Sequence, residues 1–133
     1  MIDARLDLKR RERLGMVEAV WGEHKTAKQI ITILERFSAA DELGLVTRVS
    51  PEKADAVLAA LPAVKAHADA RCLTLGEQPA PPPGPPPVAV LSGGSSDRSV
   101  VAEATLALSC HGIAVDPLMD VGVAGLHRLL DQL

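Results

Sequence analysis

A run of prolines between residues 77 and 87, Glu-Gln-Pro-Ala-Pro-Pro-Pro-Gly-Pro-Pro-Pro, divides this chain of 133 residues into two parts. Because proline lacks a backbone N–H and has a fixed φ angle, the run excludes both a helix and an interior strand. It favours an extended polyproline II spacer that reaches about 30 Å at ~3.1 Å per residue. We therefore expect a domain over residues 1–76, a linker over 77–87 and a second domain over 88–133, with the two domains independent of each other.

The first part carries the signals of a small α/β domain. Thr26 begins a predicted helix with a capping box completed by Gln29, and Ser50 begins a second helix with Pro51 at its first position. The apolar stripe of the first helix is predicted to be core. Strands are predicted at residues 4–8, 17–21, 44–49 and 70–75.

The second part has the order β-α-β-α. Val88 to Leu91 predicts a buried strand, and Ser96 or Asp97 is expected to cap a helix that ends at Gly112. A strand at residues 113–115 and a helix from residue 126 to 133 follow. This order opens a doubly wound parallel sheet. Two parallel strands cannot bury both faces of such a sheet, so we expect other chains or further sequence to complete it.

Two glycine turns are the strongest candidates for a binding site. The first, Gly-Gly-Ser-Ser-Asp at residues 93–97, precedes a helix whose first N–H groups lack intrahelical partners and attract anions. The second turn, at residues 120–125, follows the next strand. Both therefore belong to the carboxyl edge of the sheet, where ligands of such folds bind. The pattern predicts a phosphate or carboxylate cradle, and a tight turn before a capped helix is the structural alternative.

Composition argues against several classes of function. The net charge is −3, from 14 basic and 17 acidic residues, which does not suit a nucleic-acid-binding surface. The aromatic residues are Trp21 and Phe37, too few for a base-stacking platform. No apolar run approaches the ~18 residues of a membrane span, and the N-terminus does not resemble a signal peptide. We expect a cytoplasmic chain with neither a nucleic-acid nor a membrane partner.

The remaining reactive side chains give weaker signals. Cys72 and Cys110 each lie in an apolar segment and are predicted to be buried free thiols. The histidines lack metal-ligand spacing, so no metal site is predicted. His127, one turn into the last helix, is a candidate ligand contact, and the alternative is a surface or core histidine. Arg48 follows a strand and could hold an anion, with a surface salt bridge as the equal alternative.

Several motifs in one order resemble the LarB family. They are Ala-Arg-Leu-Asp at residues 4–7, Trp-Gly-Glu-x-Lys-Thr at 21–26, Val-Thr-Arg-Val-Ser-Pro-Glu at 46–52, Ser-Ser-Asp at 95–97 and Asp-Val-Gly-Val-Ala-Gly-Leu-His-Arg at 120–128. The family comprises pyridinium-3,5-biscarboxylic acid mononucleotide synthases related to PurE, the aminoimidazole ribonucleotide carboxylase. Because the resemblance runs along nearly the whole chain, it is far more specific than either turn alone.

The resemblance implies both a fold and an activity. The fold is a small N-terminal α/β domain followed by the opening β-α-β-α of a PurE-like, flavodoxin-type parallel sheet. Members carboxylate the pyridinium ring of nicotinic acid adenine dinucleotide and hydrolyse its phosphoanhydride, in the synthesis of a nickel-pincer cofactor. The resemblance also implies CO2 or bicarbonate as co-substrate, no covalently bound cofactor, and a homo-oligomer formed through the PurE-like domain. It leaves a role for Mg2+ open.

Substrate-binding residues are implied by the same resemblance. The residues that fall on the family's two binding turns are Gly94, Ser95, Ser96 and Asp97 on the first, and Asp120, Gly122, Ala124 and Gly125 on the second. Gly122 stands where PurE proper has a histidine, which favours the LarB branch over purine synthesis.

No catalytic residue is expected in this chain. The family's covalent nucleophile is a cysteine in a downstream Asn-Ser-Cys-Ala segment, and neither Cys72 nor Cys110 matches it. We therefore expect a portion of a LarB-type carboxylase and hydrolase that is inactive alone. The alternatives are a protein like the PurE-related aminoimidazole ribonucleotide carboxylase, or a truncated non-catalytic chain that binds a nucleotide or a partner.

Overall fold

The chain is a mixed α/β protein, as predicted, in a computed structural model that describes residues 5–122 and 125–133. The elements in chain order are α1 (Arg10–Leu14), β1 (Ala19–Trp21), α2 (Ala27–Ala39), β2 (Gly44–Thr47), α3 (Pro51–Ala60), β3 (Lys65–His67), β4 (Cys72–Leu75), β5 (Val88–Leu91), a 3-10 turn (Ser95–Asp97), α4 (Arg98–Ser109), β6 (Val115–Leu118) and α5 (Leu126–Leu130). Within the described ranges, no helix is long and apolar enough to cross a bilayer.

The first sheet has four strands in the order β1-β2-β4-β3. β1 and β2 run parallel, and β4 runs antiparallel to β2 and β3. The predicted helix starts are confirmed. The Thr26 hydroxyl accepts from the Gln29 N–H at 3.1 Å, the Gln29 side chain accepts from the Thr26 N–H at 2.8 Å, and the Ser50 hydroxyl accepts from the Lys53 N–H. Helices α2 and α3 share a core with this sheet, formed by Val20, Ile30, Ile33, Leu34, Phe37, Val46, Val49, Val57, Val64 and Leu73.

One strand prediction in the first part was wrong, and one strand was not predicted. The strand predicted at residues 4–8 is absent from the described part of that range. Side-chain contacts replace strand pairing there, because the Asp7 N–H donates to Glu18 at 3.0 Å and the Asp7 carboxylate pairs with Arg13. β3, Lys65–His67, was not predicted, because an edge strand of three residues with two exposed positions gives no readable alternation.

The second sheet pairs β5 with β6 in parallel, so the predicted β-α-β-α order is present. The prediction that β5 is buried was wrong, since Val88 is 44% and Leu91 52% exposed. β6 also begins two residues later than predicted. Gly112 has the predicted left-handed φ of 72°, and the Ile113 N–H still bonds to the Leu108 carbonyl of α4 at 3.1 Å. The Ile113 N–H is therefore used in the Schellman motif that ends the helix, so Ile113 cannot begin the strand.

Helix α4 packs on the first sheet, which contradicts the expected independence of the two parts. Neighbouring residues of β2 alternate between two cores: Val46 faces α2 and α3, whereas Leu45 faces Leu106 of α4 and Cys110 just beyond its end. The complete second core is Val17, Leu43, Leu45, Ala70, Cys72, Leu106 and Cys110. Residues 81–87 of the linker are exposed, as expected of a spacer. The domain limits at 76 and 88 stay a prediction.

Candidate functional site

The two glycine turns meet at the carboxyl edge of the second sheet. Past the end of β5, the Ser92 N–H donates to the Leu118 carbonyl at 3.0 Å, and the Ser92 carbonyl accepts from the Val121 N–H at 2.9 Å. A Cβ placed on Gly122 would lie 3.0 Å from the Gly93 carbonyl oxygen and 3.4 Å from its Cα. This close approach explains why glycine stands at residue 122. The second turn thus lies directly against the first, as the parallel pairing predicted.

The first turn leads into a helix start that no side chain caps. Gly94 is extended, the Asp97 N–H bonds to the Gly94 carbonyl at 3.2 Å, and neither the 3-10 turn nor α4 has a side-chain cap hydrogen bond. The expectation that Ser96 or Asp97 caps α4 was therefore wrong. The inserted 3-10 turn is the reason, because it gives Asp97 φ −86° and ψ 1°, whereas a capping side chain needs an extended backbone. The exposed side chains of Ser95, Ser96 and Asp97 remain available to a ligand.

The second turn is tied to the helix that follows it. Asp120 has a φ of 59°, a left-handed conformation that aspartate tolerates better than most residues. Its carboxylate lies 2.9 Å from Nη1 of Arg128 on α5, and both side chains are more than half exposed, so this pair contributes little stability. A Cβ on the buried Gly125 would lie 3.3 Å from the Arg128 side chain. Ala124 lies outside the described residues, and His127 is exposed on α5.

Helix α4 has a defined direction across the first sheet. Arg48, which follows β2, places Nε 2.9 Å from the Glu103 carboxylate in the middle of α4. Beyond the end of α4, His111 accepts from the Val17 N–H at Nε2, 3.0 Å away, while its Nδ1 lies 2.7 Å from the Ala107 carbonyl. The start of α4 therefore points towards the end of the first sheet where parallel strands β1 and β2 finish. The two candidate turns lie towards the same end.

The structure gives two side chains, Arg48 and His111, roles that the sequence had left open. Arg48 takes the salt-bridge alternative with Glu103, and its φ of 56° places it in the left-handed region. His111, which the sequence left unassigned, joins the two parts of the chain. Its bonds fix the neutral tautomer, with the proton on Nδ1 donated to Ala107 and Nε2 free to accept from Val17. Only a contact distant in sequence reveals this role.

Both cysteines are buried free thiols, as predicted. Burial, with a smaller contribution from the nearby Glu103 carboxylate, raises the pKa of Cys72 to about 11. Burial also raises the pKa of Cys110. Since the thiolate is the reactive form, neither side chain suits a nucleophile at neutral pH. Among the residues that the structure describes, no three His, Cys, Asp or Glu side chains are grouped to hold a metal ion.

Residues 1–77 match the LarB/PurE-like N-terminal domain family. The chain belongs to this family. This match confirms the family that the motifs of the chain resemble. A relative from Methanocaldococcus jannaschii, named uncharacterized protein MJ0165, is 28% identical over 134 residues. That similarity covers 97% of this chain, so it includes both glycine turns, which lie beyond the family match. The chain spans about half the length of that relative, 52%.

Proposed function

We propose that this chain is the portion of a LarB-type enzyme that holds nicotinic acid adenine dinucleotide, or a related nucleotide. The complete enzyme would carboxylate the pyridinium ring and hydrolyse the phosphoanhydride, in the synthesis of a nickel-pincer cofactor. Family membership of the first 77 residues supports this assignment, together with the similarity of the whole chain to a relative of about twice its length.

The observation that carries the proposal is the meeting of the two glycine turns beside an uncapped helix start. The 3-10 turn uses the N–H groups of Asp97 and Arg98, and the absence of a side-chain cap leaves the other first N–H groups of the helix start for an anion. Gly93 and Gly122 bring the second turn, which carries Asp120, against the first turn. The dinucleotide carries phosphates and a pyridine carboxylate that suit N–H donors, and ribose hydroxyls that suit the carboxylates of Asp97 and Asp120. The cradle thus has donors and acceptors for two chemically different parts of one nucleotide.

We assign the carboxylation and hydrolysis steps to residues outside this chain. In the proposed mechanism a thiolate adds to the electron-poor ring, and a neighbouring carbon then becomes nucleophilic towards CO2. The buried Cys72 and Cys110, with raised pKa values, do not suit that step. This chain binds and orients the nucleotide. CO2 or bicarbonate is the co-substrate of the complete enzyme, and a Mg2+ ion near the phosphates would fit the same chemistry.

A second candidate is a non-catalytic chain that binds a partner through its second sheet. The exposed apolar side chains there, Val88 and Leu91 of β5, favour it. In a complete enzyme the same surface would suit the homo-oligomer that we propose for the PurE-like domain. The two candidates differ in whether the isolated chain binds a nucleotide.

Calorimetric titration of the chain with nicotinic acid adenine dinucleotide tests the proposal. We expect saturable binding, with AMP binding more weakly because it lacks the pyridine carboxylate. In a parallel incubation with dinucleotide, bicarbonate and Mg2+, we expect no carboxylated product, because a reactive thiolate is required. Absence of binding would favour the interaction candidate, and carboxylated product from the pure chain would refute the assignment of the chemistry to residues elsewhere.

A further inference from the structure

Ser92 has a buried side-chain hydroxyl beneath the two turns. The residue is 8% exposed, and its backbone is fully used, because its N–H donates to Leu118 and its carbonyl accepts from Val121. Its Oγ is buried and has no hydrogen-bond partner among the described residues. Buried hydroxyls without a partner are uncommon in native proteins, because burial costs the group its hydrogen bonds to water. Arg10 and Thr105 also have such an atom among the described residues, but they lie on α1 and in the middle of α4, so the Ser92 hydroxyl is the one next to the two turns.

The direction of the strand places this hydroxyl on the side of α4. The bond from Ser92 to Leu118 continues the parallel ladder of β5 and β6, so side-chain alternation holds through residue 92. Ser92 is then on the face of Val90, the best-buried position of β5, whereas Leu91 is exposed on the opposite face. Helix α4 packs on both strands and begins six residues after Ser92. The hydroxyl is thus on the face of the sheet that α4 covers, at the end of β5 that leads to the first turn.

We propose that the Ser92 hydroxyl donates a hydrogen bond to an anionic oxygen of the ligand held between the two turns, and so acts as a positioning residue. The inference rests on the proposed function, to which it adds a donor from beneath the cradle. The hydroxyl supplements the N–H groups at the start of α4 with a group that rotates to suit its acceptor. The anionic oxygen belongs either to a phosphate or to the pyridine carboxylate.

This role has an unusual signature, because affinity and stability respond in opposite ways. In the free chain the hydroxyl is unpaired, so Ser92→Ala removes a desolvated group and leaves the melting temperature unchanged or raises it. In the complex the same change removes a bond to a charged acceptor, so affinity falls about tenfold or more. A purely structural serine, paired inside the protein or through a buried water, would lower the melting temperature and leave affinity unchanged.

The experiment compares Ser92→Ala with Thr105→Val in the 133-residue chain. Thr105 is the matched control, because its Oγ1 is also buried without a partner in the described residues but lies in the middle of α4. Melting temperatures and calorimetric affinities are measured for nicotinic acid adenine dinucleotide, nicotinamide adenine dinucleotide and inorganic pyrophosphate. We expect both variants to keep or raise the melting temperature, and only Ser92→Ala to weaken binding.

The probes separate the two sources of the anionic oxygen. Equal weakening for both dinucleotides and pyrophosphate assigns the bond to a phosphate, and weakening for the acid dinucleotide alone assigns it to the carboxylate. If Ser92→Ala leaves the affinity unchanged or lowers the melting temperature, the proposed role of Ser92 is wrong. The proposed function still stands in that case, provided that the wild-type chain binds nicotinic acid adenine dinucleotide. If the wild-type chain binds pyrophosphate but neither dinucleotide, and Ser92→Ala weakens that binding, the proposed function is wrong and the contact between Ser92 and an anion stands. Binding of no probe overturns both.

Discussion

Replacement of Asp97 by alanine separates a structural role of the first turn from a ligand-binding role. Asp97 occupies the N-cap position of α4, where an aspartate often caps the helix. In this structure its side chain is exposed and makes no cap hydrogen bond, because the 3-10 turn gives it a backbone unsuited to capping. The carboxylate is therefore free to accept a ribose hydroxyl of the nucleotide.

The two roles predict different magnitudes. Loss of a cap hydrogen bond would cost about 0.5–2 kcal/mol of unfolding free energy, but that bond is absent here. What remains is the attraction of an exposed carboxylate to the helix N-terminus, about 0.3–1 kcal/mol and screened by salt. Loss of a ligand hydrogen bond to a charged acceptor costs about 1.5–3 kcal/mol of binding, a ten- to hundredfold weaker affinity. We expect Asp97→Ala to affect affinity far more than stability.

Thermal unfolding and calorimetric titration with nicotinic acid adenine dinucleotide measure both quantities on the same variant. Asp97→Asn keeps an acceptor without the charge and should give an intermediate affinity. Asp55→Ala, an exposed aspartate on α3, is the control for loss of one negative charge. A clear drop in melting temperature for Asp97→Ala, with affinity equal to that of the wild type, would refute the reasoning and make Asp97 a structural residue.

Two further substitutions test the geometry around the site. Gly122→Ala should push the turns apart, because its Cβ would lie 3.0 Å from the Gly93 carbonyl oxygen. We expect a loss of about 1–3 kcal/mol and weaker nucleotide binding. Gly94→Ala, whose Cβ meets nothing closer than 4.0 Å, is the stability control, and equal denaturation midpoints for the two variants would contradict the contact. Leu106→Ala should cost about 2 kcal/mol or more, since Leu106 is 9% exposed in the core shared with the first sheet. Urea unfolding followed by the fluorescence of Trp21, which lies in β1, measures this loss. Leu126→Ala, at an exposed position, is the control and should leave the unfolding midpoint unchanged. An unchanged midpoint for Leu106→Ala would show that the two parts unfold separately.

Local chemistry made part of this fold predictable. Thr26 with Gln29, Ser50 with Pro51, and Gly112 each determine a helix end through contacts within a few residues, and all three predictions are confirmed. The meeting of the two glycine turns was also predictable, because parallel strands bring their carboxyl ends to one edge. These features need no knowledge of the rest of the molecule.

Other features could not be predicted from the sequence, most of them because they depend on contacts between distant residues. Leu106 lies in an apolar pattern that fits any helix core, so nothing indicated that it packs on Leu45 rather than within its own half. The absent cap at Asp97 had a local cause, a 3-10 turn that propensities do not distinguish from an ordinary helix start. Ser92 escaped notice because its unpaired hydroxyl becomes significant only once its burial is known.

The packing of α4 on the first sheet gives the N-terminal domain a part in binding. The candidate cradle sits at the start of α4, and a helix is stiff, so its direction determines where the cradle lies. Arg48 and Val17 hold α4 at its middle and just beyond its end, through Glu103 and His111. In a chain whose halves were joined only by the exposed linker, the cradle would move freely relative to the first sheet. Here the sheet instead fixes the direction of the helix, and the family-defining domain thereby orients the nucleotide that the second part is proposed to hold.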